Sequence, residues 1–173
     1  KGLITEINFQ QNAAISEIRD SLAFVDNHNY WDHPNSLPGH AWSFPFLHNQ
    51  TSALRTASWA ARMLMPSRIF GKPFTVTEIN FVYPNRHRAE SGPILGAYAA
   101  LQEWDGLFQF CYSHSDDNVI SDGFNPRGNF FNSSTDAVKA LSQRIGLRLF
   151  LDRELAPAPL AFAVPLTGGK NLS

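Results

Sequence analysis

One glutamate stands near the end of the segment with the clearest strand pattern. Glu78 lies in TVTEIN, within the apolar, β-branched run Lys72–Tyr83 (KPFTVTEINFVY). Glycosidases use a pair of carboxyl groups, one as acid/base and the other as nucleophile or base. An ionised nucleophile needs hydrogen-bond donors close by. The candidate donors are Asn80, Tyr112 and His114. Glu78 is therefore a candidate nucleophile; alternatively, it pairs with an arginine such as Arg86 or Arg88.

A second polar segment, DNHNYWDHP, precedes that strand in the chain. Side chains alternate between faces along a strand, so His28 and Tyr30 share one face, and Asn27 and Asn29 share the other. A histidine and a tyrosine at a strand end can hydrogen-bond a nucleophile and a sugar hydroxyl. Tryptophan rings can stack on the apolar face of a pyranose. The segment and the loop after it contribute these candidate substrate-binding residues: His28, Tyr30, Trp31, His33 and Trp42.

The same segment allows two other interpretations. His28, Asp32 and His33 are a candidate set of metal ligands. Divalent sites need ligands that are fixed on rigid elements, so we do not predict a metal here. In the second interpretation, the aromatic side chains only hold the loop in place.

Other reactive side chains carry weaker signals. His114, Asp116 and Asp117 follow the fourth predicted strand, but their spacing does not match an EF-hand calcium loop. Cys111 is the only cysteine, and its apolar neighbours indicate a buried, inert thiol. Glu6 could act as an acid/base, although the pattern favours an ion pair or the interior of the fold. The chain has no phosphate loop, GxGxxG, GxSxG or HExxH motif, and we predict no cofactor.

The composition excludes several classes of protein. Hydrophobic residues make up 43% of the 173 residues and charged residues only 17%, which excludes an intrinsically disordered chain. The net charge of -1 gives no signal for nucleic acid or an anionic membrane, and the apolar runs are too short to span a bilayer. Aromatic residues make up 13%, which suits binding of a neutral, polar partner such as a carbohydrate.

The hydrophobic pattern alternates between strands and helices. The predicted strands are Gly2–Phe9, Ser21–Tyr30, Lys72–Tyr83 and Gly106–Tyr112. The predicted helices are Gln11–Asp20, Thr51–Met65, Ser91–Glu103 and Thr135–Asp152. Long loops follow strands, at Trp31–Asn49 and Ser113–Asn132, whereas the returns from helix to strand are short.

Four βα units in sequence predict a parallel sheet with right-handed crossovers. Long loops after strands are typical of an α/β fold of the TIM-barrel type, whose functional residues lie at the C-terminal ends of its strands. A complete barrel has eight strands and about 250 residues, so we expect residues 1–152 to form half of one. Residues 153–173 are predicted to be a linker or the start of a following β module. The start at Lys1 further leads us to expect a piece of a longer protein.

The segments FVDNHNYWDHP, KPFTVTEINFVYPN and DGLFQFCYSH resemble the second half of a clan A glycoside hydrolase barrel. The resemblance covers roughly Gly2–Asp152 and assigns this range to strands five to eight. It implies retaining hydrolysis of a β-linked polysaccharide or glycoside, with Glu78 as nucleophile. In that clan the acid/base glutamate follows an asparagine on strand four, and no Asn-Glu pair occurs here. The resemblance therefore implies a proton donor outside this chain; Glu6, which follows Thr5, is a poor substitute.

Three further hypotheses stay open at this point. A non-catalytic carbohydrate-binding remnant would keep the aromatic residues and lose hydrolysis. A half-barrel could cover its open sheet with the missing N-terminal half or with a second copy of the chain. A doubly wound domain could bind a small ligand at the ends of its strands. A polysaccharide substrate would imply a secreted or periplasmic location, which the residues themselves do not indicate.

Overall fold

The structure is a computed structural model that describes residues 2–116 and 130–166. The α-helices in these ranges are α1 (Ser16–Asp20), α2 (Trp59–Arg62), α3 (Ser91–Leu101) and α4 (Ala137–Phe150). The β-strands are β1 (Val25–Trp31), β2 (Asn35–Ser36), β3 (Phe46–Leu47), β4 (Phe74–Phe81) and β5 (Gly106–Gln109). Short 3-10 turns lie at Ala13–Ile15, Leu54–Thr56, Met65–Ser67 and Arg88–Glu90. None of the helices in residues 2–116 and 130–166 has the length and apolar character of a membrane span.

A parallel sheet with the strand order β1-β4-β5 forms the centre of the fold. β1 pairs with β4 from Val25 opposite Phe74 to Trp31 opposite Phe81. The antiparallel pair of β2 and β3 is separate and lies within the long loop after β1. Because the three central strands are parallel, their carboxyl ends meet at one edge of the sheet. The residues that follow these strands are therefore brought together there.

One face of the sheet packs into the hydrophobic core. The core side chains of β1 and β4 that are exposed by 1% or less are Val25, Phe74, Val76, Ile79 and Phe81. Along β4 the core positions are 74 and 76, then 79 and 81, so the alternation shifts by one residue. The shift coincides with a register irregularity that aligns His28 with Glu78 and leaves Thr77 as the extra residue. Two consecutive side chains, Thr77 and Glu78, therefore project from the face opposite the core.

Glycines allow α3 and α4 to approach each other closely. A Cβ atom added at Gly92 would lie 1.7 Å from the backbone oxygen of Ser142, and one at Gly96 would lie 2.6 Å from the Cα of Gly146. The backbone N–H of Gly92 also donates to the hydroxyl of Ser142 at 2.8 Å. This contact fixes α4 against the helix that follows β4.

Five of the predicted elements are confirmed, with shorter bounds. The predicted strands at 21–30, 72–83 and 106–112 correspond to β1, β4 and β5. The predicted helices at 91–103 and 135–152 correspond to α3 and α4. The helix predicted at 11–20 is a 3-10 turn that leads into α1.

The prediction of a strand at Gly2–Phe9 is wrong. Ile7 has a left-handed backbone conformation, with φ at 66°, and this interrupts an extended run. The segment still lies beside the outer edge of β1, where the N–H of His28 donates to the carbonyl of Asn8 at 2.8 Å. The buried guanidinium of Arg19 donates to the carbonyl of Ile7 at 2.8 Å. The apolar pattern here corresponds to an irregular segment that is held in place by a few hydrogen bonds.

The prediction of one continuous helix at Thr51–Met65 is also wrong. Ala57 and Ser58 both have left-handed backbone conformations, with φ at 54° and 53°. A right-handed helix cannot pass through such residues, so only a 3-10 turn and the short α2 form. Ala60 and Ala61 are nevertheless fully buried, which accounts for the helix-like spacing of apolar residues.

The TIM-barrel prediction, with four βα units in a half-barrel, is therefore wrong. The described residues form a mixed α/β fold with three parallel strands in one sheet and two antiparallel strands in another. The physical reason is local, because left-handed residues interrupt the first predicted strand and the second predicted helix. The first two βα units consequently do not form as predicted.

The predicted linker or β module at 153–173 is described only as far as residue 166. Residues 153–166 contain neither a helix nor a strand. The apolar side chains of this segment are largely exposed, including Leu160, Phe162 and Val164. The role of this segment stays a prediction.

Candidate active site

Glu78 lies beside the histidine and the tyrosine of the neighbouring strand. The phenol of Tyr30 donates a hydrogen bond to Oε1 of Glu78. Nδ1 of His28 lies 3.1 Å from Oε2 of the same carboxylate. The prediction that His28 and Tyr30 share one face of their strand is thus confirmed. The side chain of Glu78 is 26% exposed, so a ligand can reach it.

The two arginines considered as partners of Glu78 have other contacts. Arg88 forms an ion pair with Asp136, with Nε 2.6 Å from Oδ2 and Nη2 3.2 Å from Oδ1. The backbone N–H of Arg86 donates to the side-chain oxygen of Gln50 at 3.0 Å. In the part of the chain that the structure describes, Glu78 forms an ion pair with His28 and with no arginine.

The imidazole of His28 lies between two carboxylates. Its Nε2 is 3.3 Å from Oδ2 of Asp26 and 3.0 Å from the hydroxyl oxygen of Thr77. Its Nδ1 faces Glu78 at close range, but the alignment is not that of a hydrogen bond. The ring of Phe9 packs edge-on against the imidazole, with 4.9 Å between the centroids. His28 is therefore held on all sides, and its contact with Glu78 is electrostatic.

Tyr30 is held as a hydrogen-bond donor. Burial of the phenol, followed by its hydrogen bond to Glu78, raises the pKa of Tyr30 well above its usual range. The rings of His33 and Phe131 pack edge-on against the phenol ring, with centroids 5.3 and 5.4 Å away. The phenol consequently keeps its proton and remains a donor to Glu78.

Glu78 lines a cleft of about 370 Å³, a volume typical of sites for small molecules. The other lining residues all carry rings; they are Phe9, Tyr30, His33, Trp42, Phe110, His114 and Phe131. Trp42 is 67% exposed and packs edge-on against His33, with 5.5 Å between centroids. One carboxylate in an otherwise aromatic cleft suits a ligand that has both hydroxyl groups and an apolar face.

Buried polar side chains hold the cleft wall that follows β5. Asn80 is fully buried and donates to the carbonyls of Phe110 and Phe131, the second at 2.6 Å. Lys139 is fully buried on α4 and donates to the carbonyl of Phe130 at 2.7 Å. Asn80 is predicted as a donor to the nucleophile or substrate. Its amide instead donates to the backbone of this wall.

His114 lies in the cleft wall next to the single cysteine. Its Nδ1 lies 2.8 Å from Oδ1 of Asn132 and 3.1 Å from Sγ of Cys111. Burial raises the pKa of the Cys111 thiol, so this environment does not favour a thiolate. Of the two aspartates named with His114, Asp116 is exposed and Asp117 lies outside the described residues.

Two predicted binding residues lie away from the cleft. Trp31 is a core residue that is 9% exposed, and its Nε1 donates to the carbonyl of Thr51 at 3.0 Å. Its position has the same parity as that of Val25, so strand alternation itself directs it away from His28. Tyr112 is 69% exposed and is not among the residues that line the cleft. The structure therefore does not bring Trp31 or Tyr112 to Glu78.

The alternative set of metal ligands does not converge. Oδ1 of Asp32 accepts the N–H of Asn49 at 2.6 Å, and Oδ2 accepts that of Gln50 at 3.1 Å. Asp32 thus anchors the end of the long loop. His28 instead contacts Glu78, and His33 packs against Tyr30. Across residues 2–116 and 130–166, no group of three or more His, Cys, Asp or Glu side chains could hold a metal ion.

A second hollow, of about 390 Å³, lies between β5, α3 and α4. Most of its lining consists of aliphatic side chains and glycines. Its one carboxyl group, that of Asp105, accepts the backbone N–H of Phe74 at 2.7 Å. We place the candidate site at Glu78, because the polar and titratable side chains converge there.

Sequence reasoning missed several residues of the site. Phe9, Phe110 and Phe131 line the cleft, while Asp26 and Thr77 support His28. Strand alternation could have identified Asp26, which lies two positions before His28. The bulge that turns Thr77 to the same face has no sequence signal. Phe131 follows a long loop, so its position depends on tertiary packing.

Comparison with known proteins gave no relative, since no family model, curated protein or solved structure matches the chain. The case for a function therefore rests on the residues around Glu78. These residues are the carboxylate itself, its two neighbours on β1 and the aromatic side chains that line the cleft.

Proposed function

We propose that the cleft around Glu78 binds a carbohydrate and that Glu78 is the nucleophile of a retaining O-glycoside hydrolase. The observation that carries this proposal is the pair of contacts on one carboxylate, Tyr30 at Oε1 and His28 at Oε2. A hydrogen-bond donor at one oxygen and an imidazole at the other orient the carboxylate as a nucleophile requires. The aromatic lining supports the same proposal, because rings pack against the apolar faces of sugars.

The proposed reaction has two steps. An oxygen of Glu78 forms a bond to the anomeric carbon while the glycosidic C–O bond breaks, and the leaving oxygen takes a proton from an acid. Water then forms a bond to the same carbon and the bond to Glu78 breaks. The acid of the first step, now deprotonated, takes a proton from this water. Tyr30 and His28 stabilise the carboxylate before the first step and again when it is released.

The proposal also requires an acid/base, and we assign this role to a carboxyl group outside the described residues. Among the described residues that line the cleft, Glu78 is the only carboxylic acid. In a retaining enzyme the second carboxyl lies about 5–5.5 Å from the nucleophile. We expect it to come from another segment or chain, and the substrate to be a β-linked polysaccharide or glycoside.

A second candidate function is carbohydrate binding without hydrolysis. The single carboxylate of the described cleft favours it, because glycosidases use two. This function would use the same aromatic side chains and Glu78 as a hydrogen-bond acceptor for sugar hydroxyls. The two candidates differ in one observable property, which is the breaking of a bond at the anomeric carbon.

The test uses 2,4-dinitrophenyl β-glycosides of several sugars, whose leaving groups depart without protonation. The first step therefore needs no acid, and attack by Glu78 should release a burst of dinitrophenolate. We expect the wild-type chain to give this burst with at least one sugar, and Glu78→Gln to abolish it. Added azide, which attacks the anomeric carbon without a base, should then accelerate turnover.

A matched control is Glu17→Gln, which removes an exposed carboxylate of α1. This variant should keep the burst. Saturable glycan binding by the wild-type chain without any burst would instead support the binding function. A burst of equal size from Glu78→Gln would exclude Glu78 as the nucleophile.

A further inference from the structure

We infer that Asp26, acting with Thr77, is a positioning residue that fixes the tautomer of His28 and directs Nδ1 of that ring to Glu78. This inference rests on the proposed function for its catalytic consequence. The arrangement of the three side chains themselves is a property of the fold and can be measured without a substrate.

The carboxylate of Asp26 is buried and accepts three hydrogen bonds from β4. Oδ1 accepts from the hydroxyl of Thr75 at 2.8 Å and from the backbone N–H of Thr77 at 3.0 Å. Oδ2 accepts from the hydroxyl of Thr77 at 2.6 Å. The side chain of Asp26 is 4% exposed. These three donors hold the carboxylate in a fixed orientation.

The hydroxyl of Thr77 then has only its acceptor capacity left for His28. A hydroxyl has one hydrogen, and here that hydrogen is donated to Asp26. Nε2 of His28 lies 3.0 Å from this oxygen and 3.3 Å from Oδ2 of Asp26. Since both neighbours of Nε2 are acceptors, Nε2 carries a hydrogen.

This assignment determines what faces the nucleophile. With the hydrogen on Nε2, the lone pair or second hydrogen of the imidazole is at Nδ1, which lies 3.1 Å from Oε2 of Glu78. The ring therefore presents Nδ1 to Oε2 of Glu78, in a close contact that is not aligned as a hydrogen bond. A ring held in this orientation keeps Nδ1 beside the carboxylate of Glu78 when the bond to the sugar breaks.

Besides the hydroxyl of Thr77, three neighbouring groups contact this ring. Asp26 and Glu78 are the carboxylates in contact with it, at Nε2 and Nδ1 respectively. The ring of Phe9 covers it from the N-terminal segment. Without the charged acceptor Asp26, the tautomer with the hydrogen on Nε2 would be less favoured, and the imidazole could present either tautomer to Glu78.

The experiment is long-range 1H–15N NMR of His28 near neutral pH in the wild-type chain and in Asp26→Asn. In the wild type we expect an N–H-type Nε2 signal. In Asp26→Asn we expect this signal to shift toward a mixture of tautomers. Asp105→Asn is the control. Asp105 also accepts a backbone N–H of β4, that of Phe74, but this residue lies at the start of the strand, away from His28.

A second variant, Thr77→Val, removes the acceptor hydroxyl and leaves Asp26 in place, so it serves if Asp26→Asn does not fold. It should shift the Nε2 signal in the same direction but by less, because Oδ2 of Asp26 still lies 3.3 Å from Nε2. We also expect Asp26→Asn to slow the burst at Glu78 by about tenfold or more, with sugar affinity changed less than about twofold. An Nε2 signal that is unchanged in both variants would overturn the inference.

The two proposals fail separately. A shifted Nε2 signal without any burst from the wild-type chain would retain the role of Asp26 and exclude the hydrolase. A wild-type burst with unchanged Nε2 signals and an unchanged rate in Asp26→Asn would retain the hydrolase and exclude the role of Asp26.

Discussion

Thr77 and Glu78 are consecutive residues of β4, yet both contact side chains on the same face of β1. The hydroxyl of Thr77 donates to Asp26 at 2.6 Å, and the carboxylate of Glu78 accepts from Tyr30. Regular alternation would send one of the two into the core. The bulge in β4 therefore provides both the support of His28 and the candidate nucleophile from adjacent positions.

Tyr30→Phe tests the donor at Oε1 of Glu78. We expect the burst at Glu78 to slow by about tenfold or more, because a hydrogen bond to a charged group is lost. The fold should be retained, since the ring that packs against Phe131 stays in place. The control is Tyr112→Phe, which changes an exposed phenol outside the cleft lining and should leave the burst unchanged. Equal rates for wild type and Tyr30→Phe would contradict the role of this donor.

Two tryptophans should respond to alanine substitution in opposite ways. Trp42 is 67% exposed, so Trp42→Ala should weaken sugar binding by about tenfold and barely change stability. Trp31 lies in the core, so Trp31→Ala should lower the free energy of unfolding by about 3–5 kcal/mol. Glycan titration by calorimetry and urea denaturation measure the two effects. Strong destabilisation by Trp42→Ala would show that this ring supports the fold instead.

Lys139 makes stability depend on pH in a defined direction. Burial lowers its pKa from 10.5 to about 7, so between these values the folded chain releases a proton that the unfolded chain keeps. Stability rises with pH wherever the unfolded state binds more protons. We therefore expect the difference in unfolding free energy between wild type and Lys139→Met to shift in favour of wild type as pH rises. The shift is at most about 1.4 kcal/mol per pH unit. Urea denaturation at several pH values measures it, and a constant difference would contradict the assignment.

Gly92→Ala should destabilise the contact between α3 and α4. The added Cβ would lie 1.7 Å from the backbone oxygen of Ser142, so the two helices must separate. Overpacking of this kind costs about 1–3 kcal/mol, which thermal denaturation would show as a lower midpoint. The control is Gly2→Ala, because a Cβ there has no atom within 4 Å. Equal midpoints for the two variants would show that the helices accommodate the methyl group.

Part of this arrangement could be predicted from the sequence because it depends on regular elements. The alternation along β1 places His28 and Tyr30 on one face, and the strand pattern places Glu78 in the neighbouring strand, although Glu78 lies in the middle of β4 and not at the C-terminal end that the pattern predicts. Parallel neighbouring strands then bring the three side chains together. These relationships follow from periodicity, and the structure has them.

The rest could not be predicted, because it depends on irregular backbone and on distant packing. The left-handed conformations of Ile7, Ala57 and Ser58 are not indicated by their residue types, and they interrupt a predicted strand and a predicted helix. The TIM-barrel prediction failed on these residues. The wall formed by Phe131 depends on hydrogen bonds from Asn80, which are formed only in the folded chain.

Peptide mapping by mass spectrometry after incubation with a 2,4-dinitrophenyl 2-deoxy-2-fluoro-β-glycoside locates the nucleophile. The fluorine slows release of the sugar, so a covalent sugar ester accumulates on the attacking carboxylate. We expect one added 2-fluoroglycosyl group, on Glu78 in the peptide that contains TVTEIN. A label on another carboxyl group, or a chain that binds the sugar and stays unlabelled, would contradict the assignment of Glu78 as nucleophile.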